Sequence, residues 1–140
     1  MKSWLIDAGP LVAYLDASDR FHGLVADCLD GFSGQLVTTS AVITESMHLV
    51  ASVRHGPALL AELVSSAGIK SYDLCAAPYL REAAALMEKY PKVQMDFADA
   101  TLLLLAESLD VREILTLDRR GFSTYRTRSR RALTMVLHHR

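Results

Sequence analysis

The sequence predicts an α/β fold: three layers, α/β/α, around a central, mostly parallel five-stranded sheet. Two observations carry this. Short apolar runs alternate with longer helix-patterned segments, the order that βα units impose. The chain has 140 residues, 51% hydrophobic and 22% charged, enough to bury a core and too apolar for disorder. No internal repeat, low-complexity stretch or linker interrupts it, so residues 1–140 are expected to form one domain.

Residues 3–7 read as the first strand. Ala8-Gly9-Pro10 is a turn, and Pro10 suits the first position of a short helix running to about Leu15. Ser18 or Asp19 can cap a second helix through Val25 to Leu29. Residues 31–34 are a break, and 35–38 a second strand. Ser40 can cap a helix reaching about Val53, which Gly56-Pro57 ends; 57–66 is a further helix, stopped by Gly68. A third strand covers 69–74, an alanine-rich helix 77–90, and the most apolar helix 96–109. Residues 114–117 and 133–137 read as the fourth strand and an edge strand. His138-His139-Arg140 reads as a tail or a surface element.

Composition excludes several function classes. No apolar run approaches the ~18 residues of a membrane span, and Asp7 interrupts the amino terminus too early for a secretory leader. Both point to the cytoplasm. Cys28 and Cys75 have no CxxC partner and read as reduced core or boundary thiols. Net charge is −1, unevenly spread: residues 119–140 hold seven arginines and no acid, leaving −8 on the rest. That basic end is a solvated tail, an oligomer contact or a phosphate-binding rim beside an acidic region.

Five acids stand beside or inside apolar stretches: Asp7, Glu45, Asp96, Asp99 and Asp118. A buried carboxylate is costly unless paired, hydrogen-bonded or metal-bound, and these segments hold too few bases to pair all five. Asp7 and Asp118 fall at the carboxyl ends of predicted strands, where open α/β sheets form their sites. Asp96 and Asp99, three apart, share a helix face. Each acid also has an ordinary explanation. Asp7 and Asp96 can cap helices, and acids in a first turn suit the helix dipole. Glu45 lies about 40° beyond Leu49, at the edge of the stripe Val42, Ile43, Met47, Leu49, Val50 and Val53.

Taken together the acids suit a hard divalent cation, Mg²⁺ or Mn²⁺, over zinc, for which no His pattern exists. Such a site can orient water and neutralise charge on a phosphodiester. The chain has no GxSxG, Walker or GxGxxG motif, and Ser40, Ser46 and His48 cannot form a triad from one helix. Trp4, Phe122 and Tyr125 read as core or cover, with Tyr125 the one aromatic kept as a nucleic-acid contact.

Four segments in this order resemble the PIN-domain nuclease family, especially VapC-type toxins. They are Leu5-Ile6-Asp7-Ala8-Gly9-Pro10-Leu11-Val12-Ala13, Thr39-Ser40-Ala41-Val42-Ile43-Thr44-Glu45, Met95-Asp96-Phe97-Ala98-Asp99-Ala100 and Ile114-Leu115-Thr116-Leu117-Asp118-Arg119-Arg120-Gly121-Phe122. The resemblance implies Mg²⁺-dependent cleavage of RNA by water, with Asp7, Glu45, Asp99 and Asp118 as metal-binding acids. It further implies Asp96 as an accessory acid, Thr116 as a bracing hydroxyl, a small antitoxin partner and a homodimer. Arg119, Arg120 and Arg126 are candidate contacts to RNA phosphates. Many relatives place Thr-Ser after the first acid; this chain has Ala8-Gly9. The rival readings are a non-catalytic module binding RNA or protein through its arginine-rich end, and a phosphatase of small phosphoesters.

Overall fold

The computed structural model describes residues 1–137, so the His138-His139-Arg140 end lies outside the described residues. Five strands, β1 (Ser3–Ile6), β2 (Gln35–Thr39), β3 (Lys70–Tyr72), β4 (Glu113–Leu115) and β5 (Thr134–Met135), form one sheet in the order β3-β2-β1-β4-β5. Every neighbouring pair is parallel, with Leu5 opposite both Val37 and Ile114. β5 takes the edge, as the sequence predicts.

This order sets the location of any site. From β1 the chain builds outward through β2 and β3, then returns to the other side of β1 to lay down β4 and β5. The direction of winding therefore reverses between β1 and β4. In open parallel sheets the loops part at such a point, leaving a crevice at the carboxyl ends of the two strands.

Seven helices cover the sheet: α1 (Ala8–Leu15), α2 (His22–Asp30), α3 (Ser40–Leu49), α4 (Gly56–Ser66), α5 (Ala77–Glu88), α6 (Phe97–Leu109) and α7 (Arg119–Thr124). In β1, Leu5 and Ile6 point to opposite faces of the sheet and are both fully buried. Both faces are therefore packed, as a parallel sheet requires. α6 is buried almost all round, from Ala100 to Ala106 and at Ala98, which explains why its sequence lacks a polar face. No helix among the described residues is long and apolar enough to cross a membrane.

Several boundaries differ from the sequence reading for local reasons. α1 begins at Ala8, because Asp7 caps it, and Pro10 falls inside the first turn where its missing N–H loses no partner. α2 starts later than expected, at His22. Asp16 and Asp19 instead close short turns, accepting from Ser18 N (3.0 Å) and Phe21 N (2.8 Å). Thr39, not Ser40, caps α3 by accepting from Val42 N. That helix stops at Leu49, and a 3₁₀ turn over Val50–Ser52 replaces its expected last turn. Leu49, read as part of the buried stripe, is exposed, while Ser46 is buried with its hydroxyl donated to Val42 O at 2.8 Å. Helix α7 went unread, although Asp118 is a cap residue for it. Cys75, read as a core or boundary thiol, is exposed; both cysteines are free.

Candidate metal centre

The carboxyl ends of β1 and β4 are joined through two acids and one threonine. Asp7 extends the β1–β4 ladder by donating its N–H to Leu115 O at 3.0 Å. Its carboxylate accepts from Ala8 N (Oδ1, 2.8 Å) and from the Thr116 hydroxyl (Oδ2, 2.8 Å). The same Thr116 oxygen accepts the Asp118 N–H at 3.0 Å. Thr116 is fully buried, so it holds both acids from below. Asp118 in turn accepts from Gly121 N at 3.0 Å, capping α7.

Glu45 and Asp99 come from helices that are themselves tied together. Thr39 and Thr101 share a hydrogen bond of 2.8 Å between buried hydroxyls. Thr101 commits its only proton to Ala98 O (2.7 Å), so Thr39 is the donor to Thr101. The Thr39 oxygen still accepts from Val42 N. This clamp fixes the start of α3 against the start of α6, six residues from Glu45 on one side and two residues from Asp99 on the other. Asp96 and Asp99 form a reciprocal capping box: Asp99 N donates to Asp96 Oδ1 (2.8 Å) and Asp96 N to Asp99 Oδ2 (3.1 Å). The capping explanation for Asp7, Asp96 and Asp118 thus holds in full. It places three helix amino termini, with their positive potential, around one group of acids.

Electrostatics bring all five acids together. Asp7 is 7% exposed. Burial, opposed by its hydrogen bonds to Thr116 and Ala8 and reinforced by Asp96 and Asp118, raises its pKa to about 6. Burial, then the charges of Asp96 and Asp7, raise Glu45 to about 7. The same causes raise Asp99 to about 8. The pairs Lys2–Glu113, Arg112–Asp110, Arg128–Glu82 and Arg128–Glu107 include none of the five. Carboxylates that repel one another around a buried member are the electrostatic complement of a divalent ion.

Among the described residues no three side chains form a ready-made metal cage. The donor set agrees with that. Asp96 and Asp99 each give one oxygen to the capping box, and Asp7 gives both to hydrogen bonds. Carboxylates spread round a crevice suit Mg²⁺, which takes one or two directly and keeps several waters.

Other sequence candidates fall elsewhere. Tyr125 is 1% exposed and cannot stack on a base from outside. It packs edge-on between Tyr90 and Phe122 and donates its hydroxyl to Val93 O at 3.2 Å. Burial first, then Asp99, Asp118, Asp96 and Asp7, push that hydroxyl's pKa far up. Arg126 folds back, its guanidinium donating to the carbonyls of Ser123, Thr124 and Tyr125. Arg128 is engaged with Glu107 and Glu82. Arg119 and Arg120 open α7 directly after Asp118 and are exposed. At the Ala8-Gly9 departure, a Cβ on Gly9 would meet Leu117 at an ordinary 3.4 Å, so lack of space does not explain the glycine.

Gly121 was not singled out in the sequence. A Cβ there would collide with Asp118 Oδ2 and come within 2.8 Å of Tyr125 Cε2. The spacing of an acid and a glycine three residues on, across a helix start, was the available signal.

No family model matches the chain. Ribonuclease VapC26 of Mycobacterium tuberculosis (strain ATCC 25618 / H37Rv) is 38% identical over 124 residues, covering 87% of this chain and 91% of that protein. Among solved structures, Mycobacterium tuberculosis VapC20, a Sarcin-Ricin loop cleaving toxin, superimposes with a TM-score of 0.76 at 15% identity, over 86% of this chain and 95% of that one. Rickettsia felis VapBC2, bound to a DNA fragment from its promoter, gives 0.63 at 11% identity, over 95% and 96%.

Two predictions follow from the geometry. An acid whose pKa is raised on folding stabilises the folded protein at low pH and loses that contribution as pH climbs from its unfolded to its folded pKa. In chelator, thermal stability should therefore fall between about pH 4 and pH 8, the window spanned by Asp7, Glu45 and Asp99. Mg²⁺ should raise Tm by several degrees at pH 8 and much less at pH 5; a Mg²⁺ effect independent of pH would contradict the cluster. Separately, Gly121→Ala should weaken Mn²⁺ binding by about tenfold or more in titration calorimetry, whereas native affinity would show that the glycine does not seat Asp118.

Proposed function

This chain belongs to the VapC family of PIN-domain ribonucleases, and from that premise we propose that it is the toxin of a VapBC-type pair, cutting RNA with a divalent ion held by Asp7, Glu45, Asp99 and Asp118. The observation that carries the proposal is the grouping of mutually repelling acids around buried Asp7 at the β1–β4 switch point, with Glu45 and Asp99 half-buried beside it. Mg²⁺ is the ion the oxygen donors favour, and Mn²⁺ can replace it. Asp96 is an accessory acid that also caps α6.

A bound ion there supplies Lewis acidity, neutralising charge on the phosphodiester and acidifying the attacking water. The protein's own groups do the rest. Thr116 keeps Asp7 and Asp118 in one orientation through a single hydroxyl. The Thr39–Thr101 clamp keeps the starts of α3 and α6, which carry Glu45 and Asp99, from moving apart. Arg119 and Arg120, on the first turn of α7, put positive charge at the rim for RNA phosphates.

A small antitoxin is the proposed partner, supported by the likeness to the Rickettsia felis VapBC2 assembly. Exposed Leu24, Leu49, Leu59, Tyr79 and Leu80 offer apolar surface for it and for a homodimer. The toxin would work in the cytoplasm beside its RNA. A module that only binds through its arginine-rich end has less support, because Arg126 and Arg128 are occupied within the fold.

Asp7→Asn and Asp99→Asn should each lower Mg²⁺-dependent RNA cleavage by about three orders of magnitude or more. Circular dichroism should stay native, since asparagine still accepts the local N–H bonds. Undiminished cleavage by either purified variant would overturn the assignment.

A further inference from the structure

Beside the acids, between the first turns of α3 and α6, lies a cleft of about 440 Å³. Its walls are apolar: Ala41 and Ala98 keep it wide, Cys75 closes one side, and the half-buried ring of Phe97 forms another. No lysine or arginine lines it. Its hydroxyls have already committed their protons. Thr44 donates to Ser40 O at 2.9 Å, and Ser40 donates to Asp73 Oδ1 at 3.4 Å. A hydroxyl carries one hydrogen, so the Thr44 oxygen presents only lone pairs to the cleft, and the Ser40 proton is drawn toward Asp73. The two acidic residues at its border, Glu45 and Asp96, bring carboxylate oxygens.

An apolar slot with an aromatic wall and acceptors only repels a phosphate. It admits a flat, neutral group that brings N–H donors. In RNA that group is a nucleobase with an exocyclic amino group, stacked on an aromatic ring. Glu45 and Asp96 border both this cleft and the metal crevice, so the base belongs to a nucleotide flanking the bond that is cut.

We propose that this cleft is a nucleobase subsite, with Phe97 as its stacking platform, that selects adenine, cytosine or guanine over uracil next to the scissile phosphodiester. The proposal rests on the ribonuclease reading. Uracil is disfavoured because its exocyclic groups are carbonyl oxygens, which would face the lone pairs of Ser40 and Thr44.

Two measurements on the Mg²⁺-loaded protein test it. The first is cleavage of a randomised short RNA, reading the base at each side of the cut. The second is binding of AMP, CMP and UMP by calorimetry, which needs no cleavage. The native protein should exclude uracil from one flanking position and bind AMP and CMP about fivefold or more tighter than UMP. Phe97→Ala should erase both differences and lower kcat/KM by roughly fivefold to a hundredfold, the range for losing one stacked base. Thr44→Trp, on the exposed face of α3, should do the same by filling the cleft, with Mn²⁺ affinity unchanged. Cleavage without flanking preference, or a preference that survives both substitutions, overturns the subsite. Discrimination among nucleotides by a protein that cuts no RNA supports the subsite and overturns the nuclease reading instead.

Discussion

Asp7 is a carboxylate taken out of water with other acids beside it, and the rest of the crevice is organised by that burial. Two hydrogen bonds, from Ala8 N and Thr116, offset only part of the desolvation. The neighbouring acids add to the difficulty rather than relieving it. Such an arrangement persists only if the surrounding fold is stable enough to impose it, or if a cation completes it. Here the fold does impose it. Asp7 sits between fully buried Ile6 and Ala8, just past the carboxyl end of the central strand of a sheet packed on both faces.

The strand order converts that one residue into a site. Because β4 lies beside β1, the end of β4 delivers Thr116 and Asp118 to the same crevice although they are more than a hundred positions away in sequence. α3 and α6 supply Glu45 and Asp99 from helix starts that meet through Thr39 and Thr101. Capping and metal binding draw on the same physics: a helix amino terminus aims donors and positive potential at a carboxylate, as a bound cation does. Explaining Asp96 or Asp118 as a cap does not compete with explaining it as part of the centre.

Much of this was legible in the chain. The strand and helix periodicities fixed the α/β class, and the positions of Asp7 and Asp118 after apolar runs put both at strand ends. What was not legible depends on contacts between distant segments. Tyr125, flanked by threonine and arginine, looked like a surface aromatic, but Phe122 and Tyr90 draw it into the core. Arg126 looked like an open cation until the end of α7 placed three carbonyls around it. The partners of Thr39 and Thr101 lie 62 positions apart, beyond any local pattern. Leu49 was misassigned because the helix ends there, so the stripe drawn through it had no further turn to bury.

The claim on which the account stands is that one divalent ion lies among these acids. Anomalous diffraction from crystals of the protein soaked in Mn²⁺ addresses it directly. The account predicts a peak in the crevice bounded by Asp7, Glu45, Asp99 and Asp118, lost in Asp7→Asn crystals. Crystals that hold Mn²⁺ elsewhere and show none in that crevice would contradict it.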